Sequence, residues 1–247
     1  MRLPLAFRLA LDDIHGRYRR TVLGPLWITL AQAVTIAGFV FVYSVLFKVD
    51  PHRYALYLAA GFPIWLLIAN YLSDMPAAFI NSRGFIESFG LPWLTHIWRR
   101  SIAYAITFLH HLVTLAVVMA WLGVAPKVEM LLAIPALLVL SLAGTGVGLT
   151  LAVLGARYRD LQPATQMAAG FLFMFSPVMW RPQQLTGIEW VYHVNPLYHY
   201  IQLVREPLLG HAPSLESWIG CSVGAVAVFT LGFLTYLFSR RRLYHWL

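Results

Sequence analysis

Six long apolar runs divide this chain of 247 residues, and their lengths constrain the fold more than any other feature. A hydrocarbon core of about 30 Å is crossed by a helix of about 20 mainly apolar residues. The composition agrees, because 60% of the residues are hydrophobic and 11% are charged, whereas about 25% are charged in a typical soluble domain. We therefore predict an all-α integral membrane protein whose single transmembrane domain fills residues 1–247, with six transmembrane helices near 26–47, 55–72, 101–124, 130–156, 161–179 and 218–238.

The basic residues indicate the orientation of these spans. An even number of spans places both termini on one side, and that side holds 13 of the 18 Lys and Arg residues, against 5 on the other. Because Lys and Arg concentrate in cytoplasmic segments of membrane proteins, both termini are predicted to be cytoplasmic. The net charge of +8 comes from short clusters between apolar runs. Membrane topology explains these clusters better than nucleic-acid binding does.

Four segments lie outside the predicted spans. Residues 1–20 include an amphipathic stretch, 3–14, which is too polar to cross and is predicted to lie in the interface as a helix. Residues 73–98 form a long cytoplasmic connection, and 239–247 form a cytoplasmic tail. The external segment 181–216 carries too many apolar residues for a free loop and too few for two further spans. We predict a re-entrant helical hairpin there, between the fifth and sixth spans.

Small residues cluster in the fourth span, around Gly144, Gly146 and Gly148. Such residues let a neighbouring transmembrane helix approach closely. A nucleotide-binding Gly-rich loop would need a preceding strand, which this sequence does not offer. The cluster therefore predicts helix packing.

The sequence offers no catalytic or energy-coupling constellation of its own. Its two lysines, Lys48 and Lys127, do not lie in a phosphate-binding loop of the GxxxxGK[ST] type. No Asp or Glu lies near the middle of a span, where ion-coupled carriers place them. We predict no cofactor, no metal and no enzymatic activity in this chain. If it moves a substrate against a gradient, ATP and Mg²⁺ must be bound by a separate ATPase chain.

His110 and His111 lie deep in the third span and leave two interpretations open. Adjacent residues of a helix point about 100° apart, so the pair cannot hold one metal ion from one face. Packing or interhelical hydrogen bonding is one interpretation. The alternative is a proton relay in secondary transport of a small solute.

Several blocks of this sequence resemble, in order, the motifs of polysaccharide-export ABC transporter permeases, the family that exports O-antigen, capsule and teichoic acid. Together they extend over almost the whole chain. The similar blocks are Arg17-Tyr18-Arg19-Arg20-Thr21-Val22-Leu23-Gly24-Pro25-Leu26-Trp27, Asn81 with Phe85-Ile86-Glu87-Ser88 and Leu91-Pro92, Ala156-Arg157-Tyr158-Arg159-Asp160-Leu161, Ser176-Pro177-Val178, Asn195-Pro196-Leu197-Tyr198-His199 and Val204-Arg205-Glu206-Pro207-Leu208-Leu209-Gly210.

The resemblance implies a homodimer that works with two copies of an ABC ATPase subunit in the bacterial inner membrane, among membrane lipids. The implied substrate is a polyprenyl-pyrophosphate-linked polysaccharide, with O-antigen favoured over capsule, teichoic acid or another lipid or drug. The ATPase-coupling segment would carry Phe85, Ile86, Glu87, Phe89, Leu91 and Pro92. This chain has Glu87-Ser88 where the family often has a basic pair.

Three arginines precede the first span, namely Arg17, Arg19 and Arg20. They are placed to anchor the chain at anionic headgroups, in line with the positive-inside rule. Arginine also binds phosphate oxygens through two parallel hydrogen bonds. The same residues are therefore predicted to receive the pyrophosphate of a lipid-linked substrate.

Aromatic residues recur at helical spacing on two spans. Phe39, Tyr43 and Phe47 form one stripe on the first span, and Phe171 and Phe175 share a face of the fifth. Aromatic faces suit the apolar faces of sugars and would let a polymer slide along a translocation path. Packing against lipid or neighbouring helices is the alternative.

The external segment suggests a gate and one competing function. A proline in the first turn and an asparagine cap predict that two short helices meet there, and the predicted gate residues are Asn195, Pro196, Tyr198 and His199. The competing function is a membrane enzyme that acts on lipid-linked sugars through Arg205, Glu206, His193 and His199.

Overall fold

The computed structural model describes residues 3–184 and 190–246, and all regular structure within these ranges is helical. Residues 185–189 of the predicted hairpin lie outside the described residues. Short 3-10 turns occur at Met75–Ala77, Val128–Leu132 and Pro182–Gln184. The α-helices are α1 Leu3–Arg17, α2 Leu26–Leu46, α3 Pro51–Ser73, α4 Ala78–Asn81, α5 Arg83–Phe89, α6 Trp93–Leu122, α7 Ala133–Arg157, α8 Leu161–Phe175, α9 Trp190–His193, α10 Pro196–Leu208, α11 Leu215–Ser239 and α12 Leu243–Trp246.

Five helical segments of the described chain are long and apolar enough to cross a membrane. The fifth predicted span differs, because α8 has 15 residues and a helix of that length rises about 22 Å. It ends where Ser176 adopts an extended conformation before Pro177, as residues before proline usually do. The sixth crossing therefore stays a prediction. The five segments are Leu26–Leu46, Pro51–Phe89, Trp93–Leu122, Val128–Arg157 and Leu215–Ser239.

The helix that contains the third predicted span extends beyond it, and part of the predicted cytoplasmic connection is buried within the protein. Helix α6 begins at Trp93 rather than at 101, and Trp93 and Ile97 are buried. The predicted cytoplasmic connection begins with Met75 and Pro76, which are buried against α7. Arg99 lies within α6, and its guanidinium pairs with Asp13.

The glycines of α7 pack helices closely, as the sequence predicts. A Cβ atom at Gly146 would lie 2.5 Å from the Cα atom of Phe229 on α11. A Cβ atom at Gly232 of α11 would lie even closer to the carbonyl oxygen of Gly146. A Cβ at Gly148 would lie 2.7 Å from the Met75 side chain. These positions admit no larger residue without a shift of the backbone or of a buried neighbour.

Helix α1 packs on α6 through one face. Ala6, Ala10 and Ile14, spaced four residues apart, are buried, which is the spacing of one helix face. Asp13 accepts two hydrogen bonds from the Arg99 guanidinium, and that group also stacks 4.9 Å from the Phe85 ring centroid. The helix is thus attached to the protein by packing and by an ion pair. Its position in a membrane interface stays a prediction.

Helix α3 lies at the centre of the fold. It contacts α2, α6, α7, α8 and α10. Most of its residues are buried, including Tyr54, Leu58, Ile64 and Tyr71. Asp50 caps its first turn by accepting hydrogen bonds from the backbone of His52 and Arg53. Residues near its two ends contribute to two different polar sites.

Candidate functional site

A cavity of about 530 Å³ opens between α1, α2, α3 and α6. We call it the inner cavity, and we call the end of the bundle that carries α1 and α5 the α5 end. Charged residues lie at the α5 end of the inner cavity, where three arginines face two aspartates. These residues are Asp13, Arg17, Asp74, Arg99 and Arg100.

Neutral polar side chains continue the lining of the inner cavity away from these charges. From Arg100 to His111, both in the lining, α6 rises about 16 Å, roughly half of a hydrocarbon core. Buried polar groups within a membrane bundle face an interior or a wet cavity because lipid cannot hydrogen-bond to them. The neutral polar lining comprises Gln32, Thr35, Asn70, Tyr104, Thr107 and His111.

The three arginines singled out from the sequence are separated by the structure. Arg17, in the last turn of α1, lines the inner cavity. Arg19 and Arg20 follow α1 and are exposed without lining the cavity. Arg20 adopts a left-handed backbone conformation with φ of 67°. Arg99 and Arg100, which the sequence reasoning did not select, join Arg17 at the cavity.

The predicted coupling segment forms a short helix and a connection. Helix α5 ends at Gly90, which has φ of 57° and caps the helix in the left-handed conformation. Ile86 is buried, and Phe89 is 70% exposed. The Phe85 and Phe89 rings lie 6.1 Å apart, and Glu87 pairs with Arg83 at 2.7 Å. Leu91 and Pro92 then lead into α6.

The aromatic residues of the two predicted stripes have different surroundings. On α2, the Phe39 ring lies 5.5 Å from Phe62, and Phe47 lies 6.4 Å from Tyr54, so this stripe packs against α3. Tyr43 lies between them, 5.5 Å from Phe47. Within one protomer, the α2 stripe therefore packs against a neighbouring helix, which was the alternative to a translocation path.

On α8, the rings of Phe171 and Phe175 lie 4.6 Å apart at an interplanar angle of 36°, and the two side chains stay exposed, at 62% and 43%. Phe173, on the opposite side of α8, contacts Trp65 of α3 at 5.3 Å. The two predicted stripes therefore do not meet within one protomer. The contact between α3 and α8 is made by Phe173, a residue that the spacing argument did not select.

Helices α9 and α10 meet at the predicted corner. Pro196 occupies the first turn of α10, and Asn195 caps it by accepting a hydrogen bond from Leu197 N at 3.0 Å. His199 Nε2 contacts the His193 carbonyl oxygen at 2.8 Å, and the Tyr198 ring lies 6.2 Å from His193. The cap geometry agrees with the sequence argument, while insertion of this corner into a membrane stays a prediction.

The chain after α8 is unwound, and its backbone carbonyls are bound by side chains of α3 and α10. We call residues 175–180 the exit segment. The Tyr54 hydroxyl donates to Met179 O at 2.6 Å, and Tyr57 lies 3.0 Å from both Pro177 O and Trp180 O. Asn195 Nδ2 donates to Phe175 O at 3.3 Å. An unwound backbone away from water needs such partners.

Arg205 is the charged member of this group and is fully buried. Its Nη1 donates to Pro177 O at 2.8 Å, and its Nε donates to Gln202 Oε1 at 3.0 Å. The guanidinium lies 4.4 Å from the Tyr57 ring centroid. A Cβ atom at Gly61 would lie 3.2 Å from Nη1, so the glycine makes room for this side chain. Burial lowers the pKa of Arg205, and Tyr57 opposes that effect.

The comparison with known protein families assigns the chain. The sequence profile of the family described as "ABC-2 type transporter" matches residues 7–209. The chain belongs to the ABC-2 type transporter family. Two curated relatives, each an O-antigen export system permease protein RfbA from Klebsiella pneumoniae, are 24% and 22% identical to it over 203 residues. Each alignment covers 78% of this chain and 76% of the relative.

Membership of the ABC-2 family makes this chain a membrane permease and implies an ATPase partner. The resemblance to polysaccharide-export permeases drawn from the motifs is thereby confirmed. The arrangement around Arg205 gives no support to the competing enzyme, because this residue is directed to a backbone carbonyl and an aromatic ring. Among the described residues, no group of three or more His, Cys, Asp or Glu could hold a metal ion.

Proposed function

We propose that this ABC-2 permease exports a polyprenyl-pyrophosphate-linked polysaccharide, O-antigen, across the bacterial inner membrane. It would act as a homodimer with two copies of an ABC ATPase subunit that binds ATP and Mg²⁺. The observation that carries the proposal is the family match over residues 7–209 together with relatives named as O-antigen export permeases. In this proposal α8 completes six crossings and the α5 end is cytoplasmic, with both termini.

Arg17 at the inner cavity supports a site where the substrate's pyrophosphate is first captured. A charged headgroup cannot cross about 30 Å of hydrocarbon unaided. A basic side chain beside a polar cavity can bind it at the membrane surface and direct it inward. Arg17 has this position, whereas Arg19 and Arg20 do not line the cavity.

The exposed ring of Phe89 supports a coupling role for α5. A large apolar side chain that is 70% exposed at the end of a short helix suits insertion into a cleft of a partner protein. Buried Ile86 fixes the helix to the rest of the permease. Movement of the ATPase would thus be transmitted to the helices that follow.

Phe171 and Phe175 support a path between two copies of the chain. They stay exposed on α8 while the α2 stripe is packed against α3. A symmetric dimer that buried this face would place two such aromatic pairs opposite each other. Sugar rings could then slide along them.

The function is tested by deletion of the gene in its own bacterium and complementation with the wild-type gene. We expect loss of surface O-antigen, accumulation of lipid-linked polysaccharide in the cytoplasm, and recovery of both on complementation. A normal O-antigen ladder after deletion would contradict the proposal. Loss of capsule or teichoic acid with normal O-antigen would transfer the substrate assignment to that polymer.

Charge-conserving substitutions test the pyrophosphate role. Arg17→Lys keeps the charge but replaces the planar guanidinium that binds phosphate oxygens in pairs, so export should fall while the amount of permease in the membrane is unchanged. Arg19→Lys and Arg20→Lys are the matched controls and should export normally. Equal export by all three variants would reduce these arginines to membrane anchors.

A further inference from the structure

Three buried side chains line the inner cavity with polar atoms that have no hydrogen-bond partner among the described residues. They are Gln32 through Nε2, Tyr104 through its hydroxyl and His111 through Nδ1. Gln32 is 3% exposed, and Tyr104 and His111 are each 7% exposed. An unpaired buried polar group destabilises a folded protein, and water or a ligand normally pairs with it. Their common cavity therefore points to an occupant.

The unpaired atoms are of a kind that binds an anion. The amide Nε2 of Gln32 only donates, the Tyr104 hydroxyl can donate, and His111 Nδ1 donates in one tautomer. Gln32 Oε1 already accepts from Thr114 Oγ1 at 3.3 Å, which leaves Nε2 as its free group. No carboxylate lines the described cavity beside Gln32 and His111, because its two aspartates lie at the α5 end.

The charges at the α5 end also favour an anion. Asp13 is occupied by Arg99. Arg17 and Arg100 then face Asp74 alone, and the charged side chains that act on the Tyr104 hydroxyl are Arg100 and Asp74. An anion that enters here passes from cationic side chains to neutral donors without meeting a further carboxylate of the described lining.

We propose that Gln32, Tyr104 and His111 form an intramembrane site, within one protomer, for the pyrophosphate of the lipid-linked substrate. This inference rests on the proposed function, because it takes the substrate class from it. It extends the capture of the headgroup from the membrane surface to a depth of about 16 Å along α6.

The order of groups in the substrate supports pyrophosphate rather than sugar at this depth. The polyprenyl tail stays in hydrocarbon, and the pyrophosphate is the polar group next to it. When the headgroup moves inward with its tail, the pyrophosphate therefore enters the cavity first. The sugar chain follows it through the charged end of the cavity. A volume of about 530 Å³ lies within the usual range of ligand sites, but a long polymer would not fit inside it.

Removal of the Tyr104 hydroxyl changes stability in opposite directions for a ligand-binding role and for a structural role. Tyr104→Phe removes a hydroxyl that lies near Arg100 but makes no hydrogen bond of normal geometry to the described residues, so the protein should stay as stable as wild type or gain stability. The same change should weaken binding of the pyrophosphate at least tenfold, because a hydrogen bond to a charged group is lost. A purely structural hydroxyl would show lower stability and unchanged binding.

The test measures binding of farnesyl pyrophosphate, a short water-soluble analogue, to the full-length permease in phosphatidylcholine nanodiscs by calorimetry. The variants are Tyr104→Phe, Gln32→Leu and His111→Leu. His110→Leu is the matched control, since the His110 ring hydrogen-bonds to Ile106 O of its own helix and does not line the cavity. We expect at least tenfold weaker binding for the three variants and wild-type affinity for the control.

Four results would overturn the inference. They are no binding to the wild type, wild-type binding by the three variants, equal affinity for inorganic pyrophosphate, and displacement of the probe by phosphatidylglycerol or octyl glucoside. The last two would assign the cavity to a soluble anion, an ordinary phospholipid or a sugar. The deletion experiment separates the two proposals, because normal surface polysaccharide after deletion refutes the proposed function, whereas unaltered farnesyl pyrophosphate binding by the variants refutes this inference alone.

Discussion

Replacement of Arg205 tests how the exit segment is held. Its Nη1 donates to Pro177 O, and the Tyr57 hydroxyl lies within hydrogen-bond distance of both Pro177 O and Trp180 O. A hydroxyl has one proton, so Tyr57 can donate to only one of the two carbonyls. When Arg205 donates to Pro177 O, Tyr57 is free to donate to Trp180 O. Without the guanidinium, one of the two carbonyls loses its donor.

We expect Arg205→Met to be more stable than Arg205→Lys, although Lys conserves the charge and Met does not. Arg205→Met loses the two hydrogen bonds of the guanidinium, to Pro177 O and Gln202 Oε1, of about 1.5–3 kcal/mol each, and a cation–π contact of about 1–2 kcal/mol. It also avoids the burial of a charge without a carboxylate partner, which costs several kcal/mol. The losses and the avoided cost oppose each other, so the net destabilisation of this variant should be smaller than that of Arg205→Lys. Arg205→Lys keeps that cost but loses the planar group that reaches Pro177, Gln202 and the Tyr57 ring.

We expect Arg205→Lys to be destabilised by about 3 kcal/mol, which corresponds to a fall in Tm of roughly 6–12 °C for a chain of this size. The assay is the temperature at which the detergent-purified protein loses its monodisperse peak in size-exclusion chromatography. Arg53→Lys and Arg53→Met are the controls, because the Arg53 side chain is 85% exposed beside Asp50. If Arg205→Lys is as stable as wild type and Arg205→Met is less stable, the reasoning about the buried charge is wrong.

Three more substitutions test other contacts of the described structure. Gly61→Ala should lower Tm because its Cβ would lie 3.2 Å from the buried guanidinium, whereas Gly38→Ala, with no atom within 4 Å, should raise Tm slightly. Phe89→Asp should leave the permease in the membrane but separate ATP hydrolysis from export, whereas Ser88→Asp, which adds the same charge beside the ring, should export normally. Burial raises the pKa of Glu206, so the folded state favours the protonated form; Glu206→Gln should raise Tm at about pH 8 and lose that advantage below the unfolded pKa of about 4.3.

The membrane helices could be predicted because apolar length is a direct property of the sequence. The exceptions are places where a tertiary contact changes the meaning of a residue. The third predicted span begins after Arg99, but α6 includes this residue, whose guanidinium contacts Asp13 and the Phe85 ring. Likewise, the fifth apolar run extends beyond Pro177, while the helix ends at Phe175 because the next residue is extended.

Part of the inner cavity could have been found from the sequence. Arg100, Tyr104, Thr107 and His111 are spaced to share one face of α6. A polar stripe on an otherwise apolar helix is the signal of a buried polar site in a membrane protein. The choice of Arg17 over its neighbours Arg19 and Arg20 could not be made, because all three follow the same basic pattern and only the end of α1 distinguishes them.

The contacts of the exit segment were beyond reach of any local pattern. Tyr54 and Tyr57 bind carbonyls that follow them by more than a hundred residues. Arg205 had suggested catalysis when read beside Glu206 and the two external histidines. Its burial and its bond to Pro177 O depend on the packing of α10 against α3, which no spacing rule predicts.

Helix α3 joins the sites described above. Near its first turn, Tyr54 and Tyr57 hold the exit segment, and near its last turn Asn70 lines the inner cavity. The chain then continues through the buried turn at Met75–Ala77 and α4 to α5, for which we propose the coupling role. Because α3 is packed on several sides, a displacement of α5 would be carried along it as a rigid element rather than absorbed by a loop. A force applied at α5 would therefore act on the cavity before it reaches the carbonyls bound by Tyr57 and Arg205.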